Sequence, residues 1–161
     1  MVKKENLKFN PIDCIIISIV LFLLIYTWCI VIIAYPNLPE TIAIHFDGSG
    51  NPDDYSSKGG IWLAPSIFTI LCIGFIFSAK YPEQLSFTKK KISEREKKAH
   101  SKKGLFASLL CSSILILITH SIIKTSINKQ DNPMFWIIPT VFALITLFLA
   151  SIFYYKYKYL K

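Results

Sequence analysis

The sequence predicts an all-α integral membrane protein with four transmembrane helices and with both termini on the cytoplasmic side. Of its 161 residues, 53% are hydrophobic and only 17% are charged. A soluble domain averages about 25% charged residues. The charged residues also leave four long uncharged segments between them. This composition disfavours a soluble enzyme, a disordered chain and a disulfide scaffold.

Each of the four uncharged segments is long enough to cross a bilayer. A helix needs about 20 apolar residues to span about 30 Å of hydrocarbon, and every segment is rich in Ile, Leu and Phe. The first segment is longer than the apolar part of a signal peptide, and no A-x-A-like cleavage site follows it. We predict one membrane domain over residues 1–161, with spans near 14–34, 60–79, 104–123 and 134–155.

The basic residues predict the orientation of the spans. Fifteen of the 18 Lys and Arg residues lie in the N-terminal segment, the connection 80–103 and the C-terminal tail. The loops 35–59 and 124–133 carry the other three. Because cytoplasmic loops are enriched in Lys and Arg, the first group is expected inside and the loop 35–59 outside. The formal net charge of +8 then reflects topology, and with no recognition motif it predicts no nucleic-acid partner.

The cytoplasmic connection 80–103 is dominated by the basic stretch 88–103. We interpret this stretch as a partly helical linker that extends the third helix, with Glu94 and Lys98 paired at i,i+4. Its charge is expected to attract anionic lipid of the bilayer. A docking site for a cytoplasmic regulator is the more specific alternative.

Small residues recur at helical spacing in two spans. They are Gly104, Ser108 and Ser112 in the third, and Ser66, Gly74 and Ser78 in the second. Small residues let helices approach closely in lipid. We expect both stripes to form helix contacts, either within one chain or between the chains of a homo-oligomer.

The outer loop 35–59 is the least generic part of the chain. Alternation of Ile42, Ile44 and Phe46 with polar or small residues predicts a short strand with one apolar face toward the membrane. The following segment 47–52, Asp-Gly-Ser-Gly-Asn-Pro, is dense in turn-forming residues. The loop is therefore expected to fold back over the membrane surface.

Three chemical interpretations of this loop stay open. His45, Asp47 and Asp53, with Asp54 nearby, are residue types that bind zinc or manganese. Alternatively the acids cap turns while His45 forms a hydrogen bond within the loop, or these side chains bind a ligand directly. An EF-hand is excluded, because Pro52 and Lys58 stand where that motif needs Gly and Glu.

The stretch from Leu38 to Lys58 resembles the signature of a bacterial membrane family, the domain of unknown function 1648, which forms the N-terminal module of SdpI-type immunity proteins. Ala43 and Asp54 depart from its usual Pro and Gly. The residues that match are Leu38, Pro39, Ile42, His45, Phe46, Asp47, Gly50, Pro52, Asp53, Tyr55, Ser57 and Lys58.

The resemblance implies a multi-pass protein of the bacterial cytoplasmic (inner) membrane without enzymatic activity or cofactor. By analogy, it gives protection against, or senses, a secreted peptide toxin or another envelope ligand. Two alternatives are an accessory subunit of a membrane complex or transporter, and an outer-face enzyme that uses a divalent cation on His45, Asp47 and Asp53. The residues expected to bind ligand or to order the loop are Pro39, His45, Phe46, Asp47, Asp53, Asp54, Tyr55 and Lys58.

Overall fold

A computed structural model of the chain describes residues 7–83, 93–128 and 134–160. Within these ranges the chain forms four α-helices and one two-stranded antiparallel sheet. Two short 3-10 helices, Tyr35–Asn37 and Lys58–Trp62, connect the sheet to the helices on either side. The main elements are α1 (Pro11–Ala34), β1 (Thr41–Phe46), β2 (Pro52–Ser57), α2 (Leu63–Lys80), α3 (Glu94–Ile127) and α4 (Met134–Leu160).

Helix α3 is the centre of the bundle, since it packs against α1, α2, α4 and β1. Its buried face consists largely of small and hydroxyl-bearing residues, which allow neighbouring helices to approach closely. The predicted stripe on the third span is therefore confirmed as a helix contact. The buried residues include Ser101, Gly104, Leu105, Ser108, Ser112, Leu115 and Thr119.

The closest approach in the bundle lies at Gly104, between α3 and α2. A β-carbon built there would stand 2.9 Å from the carbonyl oxygen of Phe75 and 3.2 Å from the β-carbon of Ala79. On the second span, the expected stripe makes no contact within the chain at Gly74, and a contact between chains there stays a prediction. Gly74 is exposed, and a β-carbon there would meet nothing within 4 Å. Cys72 and Ala79 supply the buried surface of α2 instead.

The helices have the length and apolar character of membrane spans. Three segments within the described ranges are long and apolar enough to cross a bilayer, namely Pro11–Asn37, Lys58–Lys80 and Glu94–Ile127. The fourth expected span contains a shorter apolar helix segment, Pro139–Tyr155. Large apolar side chains such as Phe22, Ile33, Ile70, Phe142 and Leu147 point outward from the bundle, as contact with lipid tails requires.

Capping boxes define where α1 and α3 begin. The Asn10 and Ser93 side chains accept hydrogen bonds from the backbone N–H groups of Asp13 and Glu96, whose carboxylates accept from the capping residues in return. Such reciprocal bonds satisfy two donors that a helix start otherwise leaves unpaired. Helix α3 thus begins ten residues before the expected span, as the predicted extension requires.

The basic connection differs in detail from the prediction. Glu94 pairs with Lys97, at 2.6 Å between Oε1 and Nζ, and the predicted partner Lys98 does not form that ion pair. The Lys97 ammonium also binds Glu83 at 2.7 Å, which ties the end of α2 to α3. The hydrogen bond to Glu83, followed by that to Glu94, raises the pKa of Lys97. Of the predicted regulator segment 88–103, residues 88–92 lie outside the described residues.

The bundle has two chemically different ends. The sheet, the end of α1, the start of α2 and the end of α3 form the hairpin end. The start of α1, the end of α2 and the start of α3 form the lysine end, where Lys102 binds the buried carboxylate of Asp13. His100 also lies there, with its Nε2 2.9 Å from the Ser78 hydroxyl.

Candidate functional site

The outer loop folds into a β-hairpin whose turn is organised by Asp47. Its Oδ1 accepts hydrogen bonds from the backbone N–H groups of Ser49 and Asn51, each at 2.8 Å. The bond from Asn51 is the main reason that the pKa of Asp47 is lowered. Gly50 completes the turn at φ 85, a left-handed conformation that costs little without a β-carbon. Asp47 therefore orders the loop, as one of the predicted interpretations has it.

Two β-bulges interrupt the pairing of the strands. Ala43 pairs with Tyr55, His45 with Asp54 and Phe46 with Pro52. Ile44 is thus an extra residue in β1, and Asp53 is an extra residue in β2. Bulges redirect side chains, and the predicted apolar face of β1 is accordingly wrong at Ile44, which is 40% exposed.

The compensating bulges bring His45 and Asp53 together. Nδ1 of His45 lies 2.5 Å from Oδ1 of Asp53, and both side chains are exposed. Since a carboxylate only accepts hydrogen bonds, Nδ1 is the protonated nitrogen and donates to Asp53. Whenever the ring is neutral, Nε2 of His45 then carries no hydrogen and can accept a hydrogen bond.

The base of the hairpin is closed by Lys58 and Glu40. The backbone N–H of Lys58 donates to the Glu40 carbonyl at 2.9 Å, and their side chains form an ion pair at 2.8 Å. The Lys58 ammonium also lies 5.7 Å from the centroid of the Tyr35 ring, within the range of a cation–π contact. The hydrogen bond to Glu40 is the main cause of the raised pKa of Lys58.

An apolar cluster anchors the hairpin to the helices. Ile42 is fully buried among Val31 of α1, Ile61 before α2 and Ile122 of α3, with Leu38 completing the cluster. Partly buried rings pack around it, from Tyr35, Phe46 and Trp62. The hairpin is therefore part of the folded bundle, because its strand contributes to the same core as three of the helices.

The remaining predicted site residues are Pro39, Asp54 and Tyr55. Tyr55 and Pro39 are exposed. Asp54 is also exposed, and its Oδ1 accepts a hydrogen bond from the backbone N–H of Tyr55 at 2.8 Å. Asp54 and Tyr55 therefore present a carboxylate and a phenol at adjacent positions of β2.

A cavity of about 300 Å³ separates the hairpin from the C-terminal end of α3. Thr125 and Ser126 are only 7% and 8% exposed, and their hydroxyls have no hydrogen-bond partner. Unpaired buried hydroxyls are costly, so they mark a place where a ligand or water gains from binding. The sequence did not predict this cavity, since Thr125 and Ser126 fall in the short loop 124–133, which contained no predicted site residue. Its lining residues are Thr41, Ala43, Pro52, Tyr55, Thr125 and Ser126.

The residues predicted as metal ligands are only partly brought together. His45 and Asp53 are in contact, whereas the carboxylate of Asp47 is directed to the backbone of the turn. Among the residues that the structure describes, no three His, Cys, Asp or Glu side chains converge in a metal-binding arrangement. The hairpin surface therefore offers two possible metal ligands, His45 and Asp53. Asp54 is the next residue along β2.

The apolar helices and the anchored hairpin define a helical membrane protein with a small β-structured cap. Residues 22–69 match the family model described as "Domain of unknown function (DUF1648)", which confirms the predicted resemblance over this segment. The segment runs from the middle of α1 through the whole hairpin into α2. The anchored hairpin is thus the centre of the matched module.

A short segment of the chain is also similar to an archaeal protein. A protein of Archaeoglobus fulgidus described as an "Uncharacterized protein" is 35% identical over 43 residues. The similarity covers 27% of this chain and 24% of the archaeal protein, so about a quarter of each is comparable. No solved structure matches the chain significantly.

Proposed function

We propose that the chain is a non-enzymatic, multi-pass protein of the bacterial cytoplasmic membrane that recognises a secreted peptide or another envelope ligand through its outer hairpin. Both termini and the lysine end then face the cytoplasm, in line with the distribution of Lys and Arg. Recognition serves either protection against the peptide or sensing of it.

One observation carries this proposal, namely that the hairpin backbone is fixed at three places while polar side chains on its surface remain exposed. The turn at Asp47, the Glu40–Lys58 base and the buried Ile42 fix the backbone at three places. His45 and Tyr55 nevertheless remain exposed. A rigid surface loses little conformational entropy when it binds, which favours recognition over a purely structural role.

The chemistry of the cavity suits the uncharged polar parts of a peptide. The hydroxyls of Thr125 and Ser126 can each donate and accept, so they match main-chain amides, which carry both kinds of group. The carboxylates of Asp53 and Asp54 lie nearby on β2 and favour a ligand with a basic side chain. A pocket that combines apolar surface with a few placed polar groups is typical of ligand sites.

The test is a deletion strain that is challenged with culture supernatant of its own parent. We expect the deletion to lower survival, and wild-type protein to restore it. For cells that produce Thr125→Ala or Tyr55→Ala, the dose of supernatant that kills half of them should be about tenfold lower than for cells with the wild type. The reason is that one lost hydrogen bond to the ligand is worth about 1.5 kcal/mol.

Gly48→Ala is the matched control on the same hairpin, since a β-carbon there meets nothing within 4 Å. It should protect as well as the wild type. In parallel, supernatant fractions should raise the unfolding temperature of the purified wild type and not that of Thr125→Ala. Survival unaffected by the deletion would refute protection, and identical thermal shifts in all variants would refute recognition at this cavity.

A further inference from the structure

A second cavity, at the opposite end of the bundle, has the chemistry of an anion site. It measures about 370 Å³ and lies between the segment before α1 and the first turns of α3. We propose that it binds the phosphate of an anionic phospholipid headgroup. This site does not depend on ligand recognition at the hairpin. Its polar lining residues are Lys8, Asn10, Asp13, Lys98, Ser101 and Lys102.

The lysines of the cavity are not equivalent. Lys102 is neutralised by Asp13, whose carboxylate is buried. Lys8 and Lys98 are exposed, and neither forms an ion pair with any residue in 7–83, 93–128 or 134–160. Two lysines that form no ion pair within the described residues therefore line the cavity, although the Glu94 carboxylate acts on Lys98 electrostatically. Ammonium groups are common phosphate ligands in proteins.

Ser101 supplies an independent indication of a ligand. Its side chain is 1% exposed, it lines the cavity, and its hydroxyl has no hydrogen-bond partner. A buried hydroxyl without a partner is unfavourable, whereas a phosphate oxygen would accept its hydrogen. Two cations and one buried donor around one cavity match a phosphate group better than a neutral ligand.

The surroundings of the cavity favour a lipid as the source of the phosphate. Ile12 and Ile15, which lie close to the lining residue Asp13 in the first turns of α1, are both largely exposed. Acyl chains of a lipid bound by its headgroup in the cavity would run along this apolar surface. Basic pockets between helices on the cytoplasmic side bind anionic headgroups in this way, with about 1 kcal/mol from each basic residue near the surface.

The test measures lipid binding by the purified chain in neutral detergent, with phosphatidylglycerol or phosphatidylcholine added and bound lipid counted by native mass spectrometry. Wild-type protein should retain phosphatidylglycerol in preference to phosphatidylcholine. The double variant Lys8→Gln/Lys98→Gln should bind phosphatidylglycerol about 25-fold more weakly, because each lysine is expected to contribute about fivefold to the affinity.

The matched control is Arg95→Gln/Lys103→Gln, which removes two positive charges from α3 outside the cavity lining. Its affinity for phosphatidylglycerol should fall by less than about threefold, because exposed charges at a distance are screened. Ser101→Ala should weaken phosphatidylglycerol binding while the lipid-free protein unfolds at the same or a higher temperature. A merely structural serine would not separate these two readouts.

Free phosphate is distinguished by a further arm with inorganic phosphate in place of lipid. The proposal predicts that millimolar phosphate neither displaces phosphatidylglycerol nor raises the unfolding temperature as the lipid does. Equal retention of both lipids by the wild type, equal losses in the two double variants, or stabilisation by phosphate alone would each overturn the lipid site.

Discussion

Replacing Asp13 by Asn is expected to destabilise the protein by about 3 kcal/mol, the cost of leaving a largely buried charge without its partner. Asp13 is buried in the first turn of α1, and Lys102 reaches it from α3. An Asn side chain can still accept the capping bond from the Asn10 backbone. The substitution therefore removes the charge and keeps the helix start.

The double variant Asp13→Asn/Lys102→Met separates the ion pair from the packing. With both charges gone and the side-chain length at position 102 preserved, most of the lost stability should return, since replacing a buried pair by apolar groups is often neutral. The measurement is the free energy of unfolding in neutral detergent. A double variant as unstable as Asp13→Asn alone would show that the lost charge is not the cause.

Gly104→Leu is expected to cost about 2–3 kcal/mol by forcing α2 and α3 apart. No side chain larger than hydrogen fits without a shift, because the Phe75 carbonyl and the Ala79 backbone already lie against this position. The loss should appear as a lower unfolding temperature in detergent.

Gly74→Leu provides a matched control for this prediction. Both variants replace a glycine within a helix by leucine. Position 74 on α2, however, is open, and Leu has a higher helix propensity than Gly. We expect Gly74→Leu to be neutral or stabilising. Equal destabilisation by both substitutions would contradict the close contact at Gly104.

The elements encoded by local pattern were predictable from the sequence. The uncharged segments placed the helices, and Gly104, Ser108 and Ser112 marked the buried face of α3. The exact start of α3 was not predicted, although Ser93 and Glu96 have the spacing of a capping box. These patterns depend only on residues that are close in the sequence, so tertiary contacts do not change the structure that they predict.

The hairpin surface was predictable only in part, because pairing across the strands decides it. The polar sequence of β2 has weak strand propensity, and its pairing with β1 orders it. Bulges shift the side-chain alternation by one residue, so Ile44 turned outward and Asp53 met His45. The cavity above Thr125 exists only where the hairpin meets α3, which no local pattern reveals.

The central claim is that the hairpin is a recognition surface on the outside of the cell. Cysteine labelling in intact cells tests it most directly, in a background with the four native cysteines replaced. Gly48→Cys lies at the open tip of the hairpin, and Arg95→Cys is exposed at the lysine end. We expect a membrane-impermeant maleimide to label Gly48→Cys at once and Arg95→Cys only after permeabilisation. The reverse pattern would place the hairpin in the cytoplasm and contradict the proposed function.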